Sequence, residues 1–438
     1  MDIRIEPREL FGNIRAIPSK SQAHRALICA ALAEGKTHIQ CESESDDIAA
    51  TVDCLTALGA KIMRNSDGYL VERGIARTTQ MASPSLPCAE SGSTFRFLLA
   101  ITGALGRSAS FMPKGRLPQR PLSPLYEELA KHGCNLSPQG TVPFNISGQL
   151  TPGRYMLDAG VSSQFISGLL FALPLLDKDS ELHLTGRAES FSYVEMTLST
   201  LEAFNILIKR SENAFYIPGK QKYVSPGHIE VEGDWSNAAV WLCAGALSSK
   251  GVTCENLNPR SRQGDRAVTE ILSRFGADIK ISDSSVAVSR GDLHGIEIDA
   301  GDIPDLVPVL AVVAAAAEGT TVVHNAQRLR AKESNRLEAI TATLRALGGD
   351  ACETDDGLTT NGDPALSGCQ TINGSPALLG GAASSFGDHR IVMAAALAAS
   401  ICTSPIIISG TEAVNKSYPG FFNDYQSLGG QLQWEIPN

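Results

Sequence analysis

A short pattern of apolar residues around a turn-forming one recurs six times along the chain: Leu58-Gly59-Ala60-Lys61-Ile62, His132-Gly133-Cys134-Asn135-Leu136, Phe204-Asn205-Ile206-Leu207-Ile208, Phe275-Gly276-Ala277-Asp278-Ile279, Leu347-Gly348-Gly349-Asp350-Ala351 and Leu428-Gly429-Gly430-Gln431-Leu432. Each places Gly or Asn, which tolerate the left-handed conformation, where a helix must stop and a strand begins. The turn positions recur roughly every 72 residues, too long a period for a small helical solenoid repeat and long enough for two helices and several strands. The pattern predicts six α/β units.

Neighbouring positions fit such a unit. Asp46 and Asp47, followed by Ile48, Val52, Leu55 and Leu58 at helical spacing, predict an acidic helix start and an apolar face that ends at Gly59. Ser66-Asp67-Gly68 then reads as the turn of a hairpin, and Ser282-Asp283-Ser284 and Asp355-Asp356-Gly357 repeat that grammar. The uncharged stretches 162–176 and 391–411 are interrupted by Ser, Thr, Gly and Pro, so they read as buried helices and strands, not as membrane spans. Three units approach the size at which one core stops growing, so two lobes of three units are expected, divided near Gly233-Asp234. The alternative is a six-unit closed ring or solenoid.

Composition narrows the function. Of 438 residues 43% are hydrophobic and 19% charged, which excludes a disordered chain, and a net charge of -10 excludes one that coats nucleic acid or an anionic membrane. Residues 1–10 lack a basic stretch followed by an apolar core, so no secretory signal is expected and cytoplasmic residence is the default. The ten cysteines include no C-x-x-C pair and read as reduced, buried thiols. No G-x-G occurs, and Gly35-Lys36-Thr37 lacks the earlier glycine of a phosphate loop because Ala30 stands there. Zinc-protease, nucleophile-elbow and calcium-loop spacings are absent too.

Basic residues in small, hydroxyl-rich loops remain. Lys20, Ser21 and Arg25 converge near a predicted helix start, where backbone N–H groups favour an anion and a cation opposes the macrodipole; a solvated amphipathic face is the alternative. Ser91-Gly92-Ser93-Thr94, with Arg96 in the following turn, reads as a phosphate or carboxylate seat or as an ordinary helix cap. Arg116 and Arg120 bracket a loop stiffened by Pro121, suited to bidentate anion recognition or equally to a plain surface loop. Ser162-Ser163-Gln164 reads as an N-cap with solvated neighbours or as donors to a phosphate and hydroxyls, and Ser190, Tyr193 and Glu195 lie on a comparable polar edge.

The densest signal is Arg328-Leu329-Arg330-Ala331-Lys332-Glu333-Ser334-Asn335-Arg336. If helical throughout, it stacks Arg328, Lys332 and Arg336 on one face, a repulsion that an anionic ligand or acidic partner offsets. Glu333 among these cations suits acid/base work, against the alternative of a surface salt-bridge lattice. Gly387-Asp388-His389-Arg390 puts another Arg in a helix first turn, and Lys416 lies between a strand and the last helix. Asp305 precedes an apolar helix, either as a plain N-terminal carboxylate or as a base for a substrate hydroxyl.

Taken together, Pro18-Ser19-Lys20-Ser21, Arg120-Pro121, Val161-Ser162-Ser163-Gln164-Phe165, Val231-Glu232-Gly233-Asp234, Pro304-Asp305, the Arg330 to Arg336 run, Asp388-His389-Arg390 and Lys416-Ser417-Tyr418-Pro419 resemble the enolpyruvyl transferase family across the chain. The resemblance implies a two-lobed inside-out α/β barrel, each lobe of three repeated α/β units, with crossings near Ser19 and Gly233 that make 1–18 plus 234–438 one lobe and 19–233 the other. It implies transfer of the enolpyruvyl group of phosphoenolpyruvate to the 5-hydroxyl of shikimate 3-phosphate, with release of phosphate, on the route to chorismate and aromatic amino acids. By that likeness Lys20, Gly92, Arg120, Arg336, Arg390 and Lys416 hold phosphoenolpyruvate. Ser21, Arg25, Ser162, Ser163, Gln164, Ser190, Tyr193, Asp305 and Lys332 hold shikimate 3-phosphate. Asp305 assists deprotonation of the hydroxyl, and Glu333, with Lys20 or His389, moves the proton at the methylene carbon.

The likeness further implies no metal, no cofactor, no nucleic-acid or membrane partner, and a monomer. The chain departs from the family pattern at Glu90 and at Arg328, where many members carry Asn, and at Phe97, where Pro or Leu is common. The branch acting on UDP-N-acetylglucosamine carries Cys five residues before its loop Arg-Pro, and this chain has Gly115 there. A non-catalytic anion-binding repeat scaffold is the alternative from another class.

Overall fold

The structure, a computed structural model, describes residues 1–75, 83–186, 189–362 and 378–435, and the backbone of 371–372 and 375–376. Its chain divides into two compact units, Met1–Ile17 with Glu232–Asn438, and Pro18–Val231.

Among the described residues are six four-stranded sheets, and all six share one topology. Each has a parallel pair at one edge followed by two antiparallel pairings. Arg154–Asp158, for example, runs parallel to Ser180–Thr185, which is antiparallel to Ala214–Ile217, and that strand in turn to Lys209–Arg210. A parallel pair needs a long crossover, and the helix Ser163–Ala172 supplies it here. The antiparallel pairs need only hairpins, and those foreseen at Ser66-Asp67-Gly68, Ser282-Asp283-Ser284 and Asp355-Asp356-Gly357 join paired strands.

Two kinds of helix alternate. The helices Lys20–Leu32, Gly92–Ala104, Ser163–Ala172, Trp235–Leu247, Val307–Ala316 and His389–Ala398 are mostly buried; four of them cross over between parallel partners, whereas Lys20–Leu32 and Trp235–Leu247 connect strands of different sheets. The second set, exemplified by Asp46–Ala57 and Val268–Phe275, is amphipathic and closes at the recurring junctions. The six junction residues all have positive φ: Gly59 at 102°, Gly133 at 98°, Asn205 at 62°, Gly276 at 101°, Gly348 at 89° and Gly429 at 92°.

Each unit has its own core, one around Leu27, Leu98, Ile101 and Leu169, the other around Trp241, Leu310, Val313 and Met393. No helix among the described residues is long and apolar enough to cross a membrane. The cysteines differ from expectation at one place: Cys352 is exposed because its strand, Asp350–Glu353, turns that side outward, whereas the other described cysteines are buried and free. Cys369 lies outside the described residues.

Candidate active site

Five of the six buried helices start with a polar cap, and many of the candidate residues gather around helix starts. Ser19, Ser91, Ser162, Asp234 and Asp388 each accept a backbone N–H of the first turn they cap. Lys20 follows its cap directly and Arg390 one residue later, which puts cations at the positive end of a helix dipole, a placement that an anion relieves.

In the unit Pro18–Val231, Lys20 Nζ pairs with Asp47 Oδ2 at 2.7 Å. Arg25 is buried and held on three sides: Nε donates to Thr197 Oγ1 at 2.8 Å, Nη1 to the Ser21 carbonyl at 2.7 Å and Nη2 to the Tyr193 carbonyl at 2.9 Å. Its guanidinium also faces the rings of Phe97 and Tyr193. Burial lowers Arg25 to about 10, still cationic at neutral pH.

A second group forms where the starts of two buried helices meet. Arg96 Nη1 donates to Gln164 Oε1 at 2.5 Å and Nη2 to the Pro121 carbonyl at 3.0 Å, while Gln164 Nε2 donates to Ser93 Oγ at 2.9 Å. Gly92 lies against this group, and a Cβ there would sit 3.1 Å from Arg120 Nη1 and 3.6 Å from Gln164 Oε1. An alanine there would press on the end of the Arg120 side chain, which would have to give by a few tenths of an ångström. Ser163 is buried, and Ser190 precedes the helix Phe191–Ala203 in the left-handed conformation at φ 51°, which costs energy in a non-glycine residue and suits a side chain aimed by its surroundings.

In the other unit, Arg336 is the centre. Only 2% exposed, it donates from Nη1 to Asp305 Oδ1 at 2.7 Å, from Nη2 to Glu333 Oε2 at 2.8 Å and from Nε to Asp388 Oδ2 at 2.8 Å. Asp388 is itself buried and accepts from Ser334 Oγ at 3.0 Å. Lys332 Nζ lies 3.5 Å from Asp305 Oδ1, and Arg390 Nη2 lies 3.8 Å from Asp305 Oδ2. Burial opposes the charge of Arg336, yet Asp388, Glu333 and Asp305 hold it cationic well above its ordinary range. Burial alone would raise the Asp305 carboxyl, but Lys332, Arg336 and Arg390 together hold it far below the usual carboxylate range. Burial lowers Lys332, and Asp305 partly restores it.

His389 sits at the edge of this group with Nδ1 3.7 Å from Asp388 Oδ1, and Lys416 Nζ donates to the Gly387 carbonyl at 2.7 Å.

One expectation is corrected. Arg328, Lys332 and Arg336 do not stack on one helix: Gln327–Ala331 is a short 3-10 turn, and the α-helix begins only at Arg336, capped by Asn335, whose side chain accepts from Glu338 N. The cap wins because Asn335 offers the backbone an acceptor just where a continuous helix would pass. Arg328 therefore points elsewhere, to the Gly301 carbonyl at 2.7 Å, and Arg330 pairs with Glu353 at 3.1 Å.

Sequence reasoning named Asp388 only as a neighbour of His389 and missed Asp47, Ser236 and Asn237. Arg390 Nη1 donates to the Ser236 carbonyl at 2.6 Å and to Asn237 Oδ1 at 3.4 Å, and Nη2 donates to Ser236 Oγ. A signal existed for Asp388, a carboxylate at a helix start beside Arg390, but not for Asp47, which reads as an ordinary acidic helix start and whose partner Lys20 lies 27 residues away.

Comparison with known proteins places the chain. The family profile described as EPSP synthase (3-phosphoshikimate 1-carboxyvinyltransferase) matches residues 5–425. The 3-phosphoshikimate 1-carboxyvinyltransferases of Clostridium kluyveri and Clostridium perfringens are 40% and 41% identical, the first over 99% of both chains and the second over 98% of this chain and 99% of its own. A solved EPSP synthase from Acinetobacter baumannii is 27% identical with a TM-score of 0.81, covering 99% of this chain and 100% of its own. The chain belongs to the EPSP synthase (3-phosphoshikimate 1-carboxyvinyltransferase) family.

Proposed function

We propose that the chain transfers the enolpyruvyl group of phosphoenolpyruvate to the 5-hydroxyl of shikimate 3-phosphate and releases phosphate. The observation that carries this reading is the Arg336 constellation: two carboxylates, Asp305 and Glu333, share one buried guanidinium with Lys332 and Arg390 alongside. Such a group combines fixed positive charge for an anionic substrate with candidate bases for the protons that move.

In the proposed reaction the hydroxyl oxygen attacks C2 of phosphoenolpyruvate while its proton passes to Asp305. The methylene carbon takes a proton from Glu333, which acts here in its protonated form, assisted by Lys20 or His389, to give a tetrahedral ketal. Departure of phosphate from C2, which takes the proton held by Asp305, and return of a methyl proton to Glu333 restore the double bond. Arg336, Arg390 and Lys416, with Lys20, Gly92 and Arg120, are proposed to seat phosphoenolpyruvate. Ser21, Arg25, Ser162, Ser163, Gln164, Ser190, Tyr193, Asp305 and Lys332 are proposed to seat shikimate 3-phosphate. A monomeric state and cytoplasmic residence complete the proposal.

The acceptor is the point to test. Gly115 has φ 54°, and a Cβ there would lie 2.5 Å from the Glu90 carboxyl carbon, so a Cys at this position would strain the backbone and displace the Glu90 side chain. Phosphate release from phosphoenolpyruvate is expected with shikimate 3-phosphate and not with UDP-N-acetylglucosamine. Turnover with the nucleotide sugar alone would overturn the assignment. Asp305→Asn and Glu333→Gln are expected to lower kcat by about a hundredfold or more while the fold persists.

A further inference from the structure

We infer that Asp265 is a positioning residue for Arg390, acting through the Ser236 hydroxyl. Asp265 lies in the turn Gly264–Ala267 that leads into the helix Val268–Phe275, and it is only 3% exposed. Nothing in the proposed chemistry uses it, yet a carboxyl is seldom buried without a task.

The hydrogen bonds run in one direction. Arg390 has only donors, so its Nη2 donates to Ser236 Oγ and its Nη1 to the Ser236 carbonyl. The Ser236 hydroxyl, having accepted from the guanidinium, turns its own proton to the Asp265 carboxyl. Asp265 thereby fixes the Ser236 rotamer that faces Arg390. Without that hold, Arg390 has a competing partner in Asp305, whose Oδ2 lies 3.8 Å from Nη2, and a guanidinium drawn onto Asp305 presents less charge to an anion.

The turn carrying Asp265 is itself tied to the helix carrying Ser236. Gln263 Oε1 accepts from Trp235 N at 3.0 Å, and Gln263 Nε2 donates to the Gly233 carbonyl at 2.8 Å and to Glu232 Oε1 at 3.0 Å. Carboxyl, hydroxyl and guanidinium are therefore held on three elements whose spacing is fixed.

The charge of this carboxyl adds a second effect. Burial pushes Asp265 up to about 7, the Asp305 and Asp234 carboxylates push the same way, and Arg390 and the Ser236 hydrogen bond oppose them. As pH rises through neutrality Asp265 becomes negative beside Arg390 and weakens its pull on an anion.

The inference rests on the reading of Arg390 as a phosphoenolpyruvate ligand, and steady-state kinetics of Asp265→Asn, Asp265→Ala and Ser236→Ala separate the two. Asp265→Ala and Ser236→Ala are expected to raise KM for phosphoenolpyruvate about tenfold with kcat within about threefold of wild type. KM for shikimate 3-phosphate should stay put. Asp265→Asn keeps an acceptor for the Ser236 hydroxyl, so at mildly acidic pH its KM should match wild type, while the rise of KM with pH across neutrality should be shallower than in wild type. Unchanged KM in Asp265→Ala, or an Asp265→Asn profile that parallels wild type, would overturn the inference. An unchanged KM for phosphoenolpyruvate in Arg390→Ala would overturn the reading of Arg390 instead. Far-UV circular dichroism and thermal unfolding of Asp265→Asn, which is nearly isosteric, guard against a folding defect.

Discussion

Gly92 shows how much a single missing side chain can decide. A Cβ there would stand 3.1 Å from Arg120 Nη1, the far end of a flexible side chain, so Gly92→Ala is expected to displace Arg120 and leave the backbone alone. We expect Gly92→Ala to retain the wild-type unfolding temperature and to bind phosphoenolpyruvate more weakly, with KM raised about tenfold. An unchanged KM would remove Gly92 and Arg120 from the proposed seat. Lys20 and Arg390 stood out in the sequence because cations at helix starts are anomalous by themselves, whereas Arg336 stood out as part of a dense run of cations. Asp265 and Ser236 were not, because a polar residue near a helix cap looks the same whether it serves the backbone or a guanidinium. The stacked-charge argument at Arg328, Lys332 and Arg336 failed for a related reason: it weighed side-chain spacing and not the cap at Asn335.

At the scale of elements, the junction that ends each second helix was readable because it demands a rare backbone conformation, and few residue types supply it. All six junction residues adopt positive φ. Their neighbourhoods differ, which yields an ordered prediction. A Cβ at Gly429 would meet only Phe11 Cε1 at 3.7 Å, so Gly429→Ala should cost about 1–2 kcal/mol, the left-handed penalty alone. At Gly276 the same atom would lie 2.2 Å from the Asp292 carbonyl oxygen, so the backbone must move and the loss should be clearly larger. Thermal unfolding of the two variants side by side tests the order, and equal midpoints would refute it. Beyond its three hairpins, the pattern did not reveal which strands pair, because those partners lie far away in the chain.

Over the whole molecule, the remote pairings make the two units unequal in their dependence on the N-terminus. The unit Pro18–Val231 is one continuous stretch and supplies all its strands, His228–Glu230 closing back in parallel on Thr37–Gln40. The other unit borrows two. Asp2–Glu6 lies between Ile406–Ser409 and Gln431–Glu435 with Ile3 and Ile5 fully buried, and Gly12–Arg15 runs beside Val252–Glu255. Removing residues 1–17 would strip a central strand from one sheet and lose about 3–6 kcal/mol from the two isoleucines alone, a large part of a typical domain's stability. Residues 18–231 expressed alone are therefore expected to unfold cooperatively on heating, whereas 232–438 alone should show no cooperative transition. The Ile17 carbonyl accepts from Asp234 N at 2.8 Å, so residues 1–17 can be joined to 232 through a very short linker, and that fusion should recover the transition. A cooperative transition in 232–438 without the N-terminal strands, or its absence from 18–231, would show that stability is not partitioned along these strand pairings.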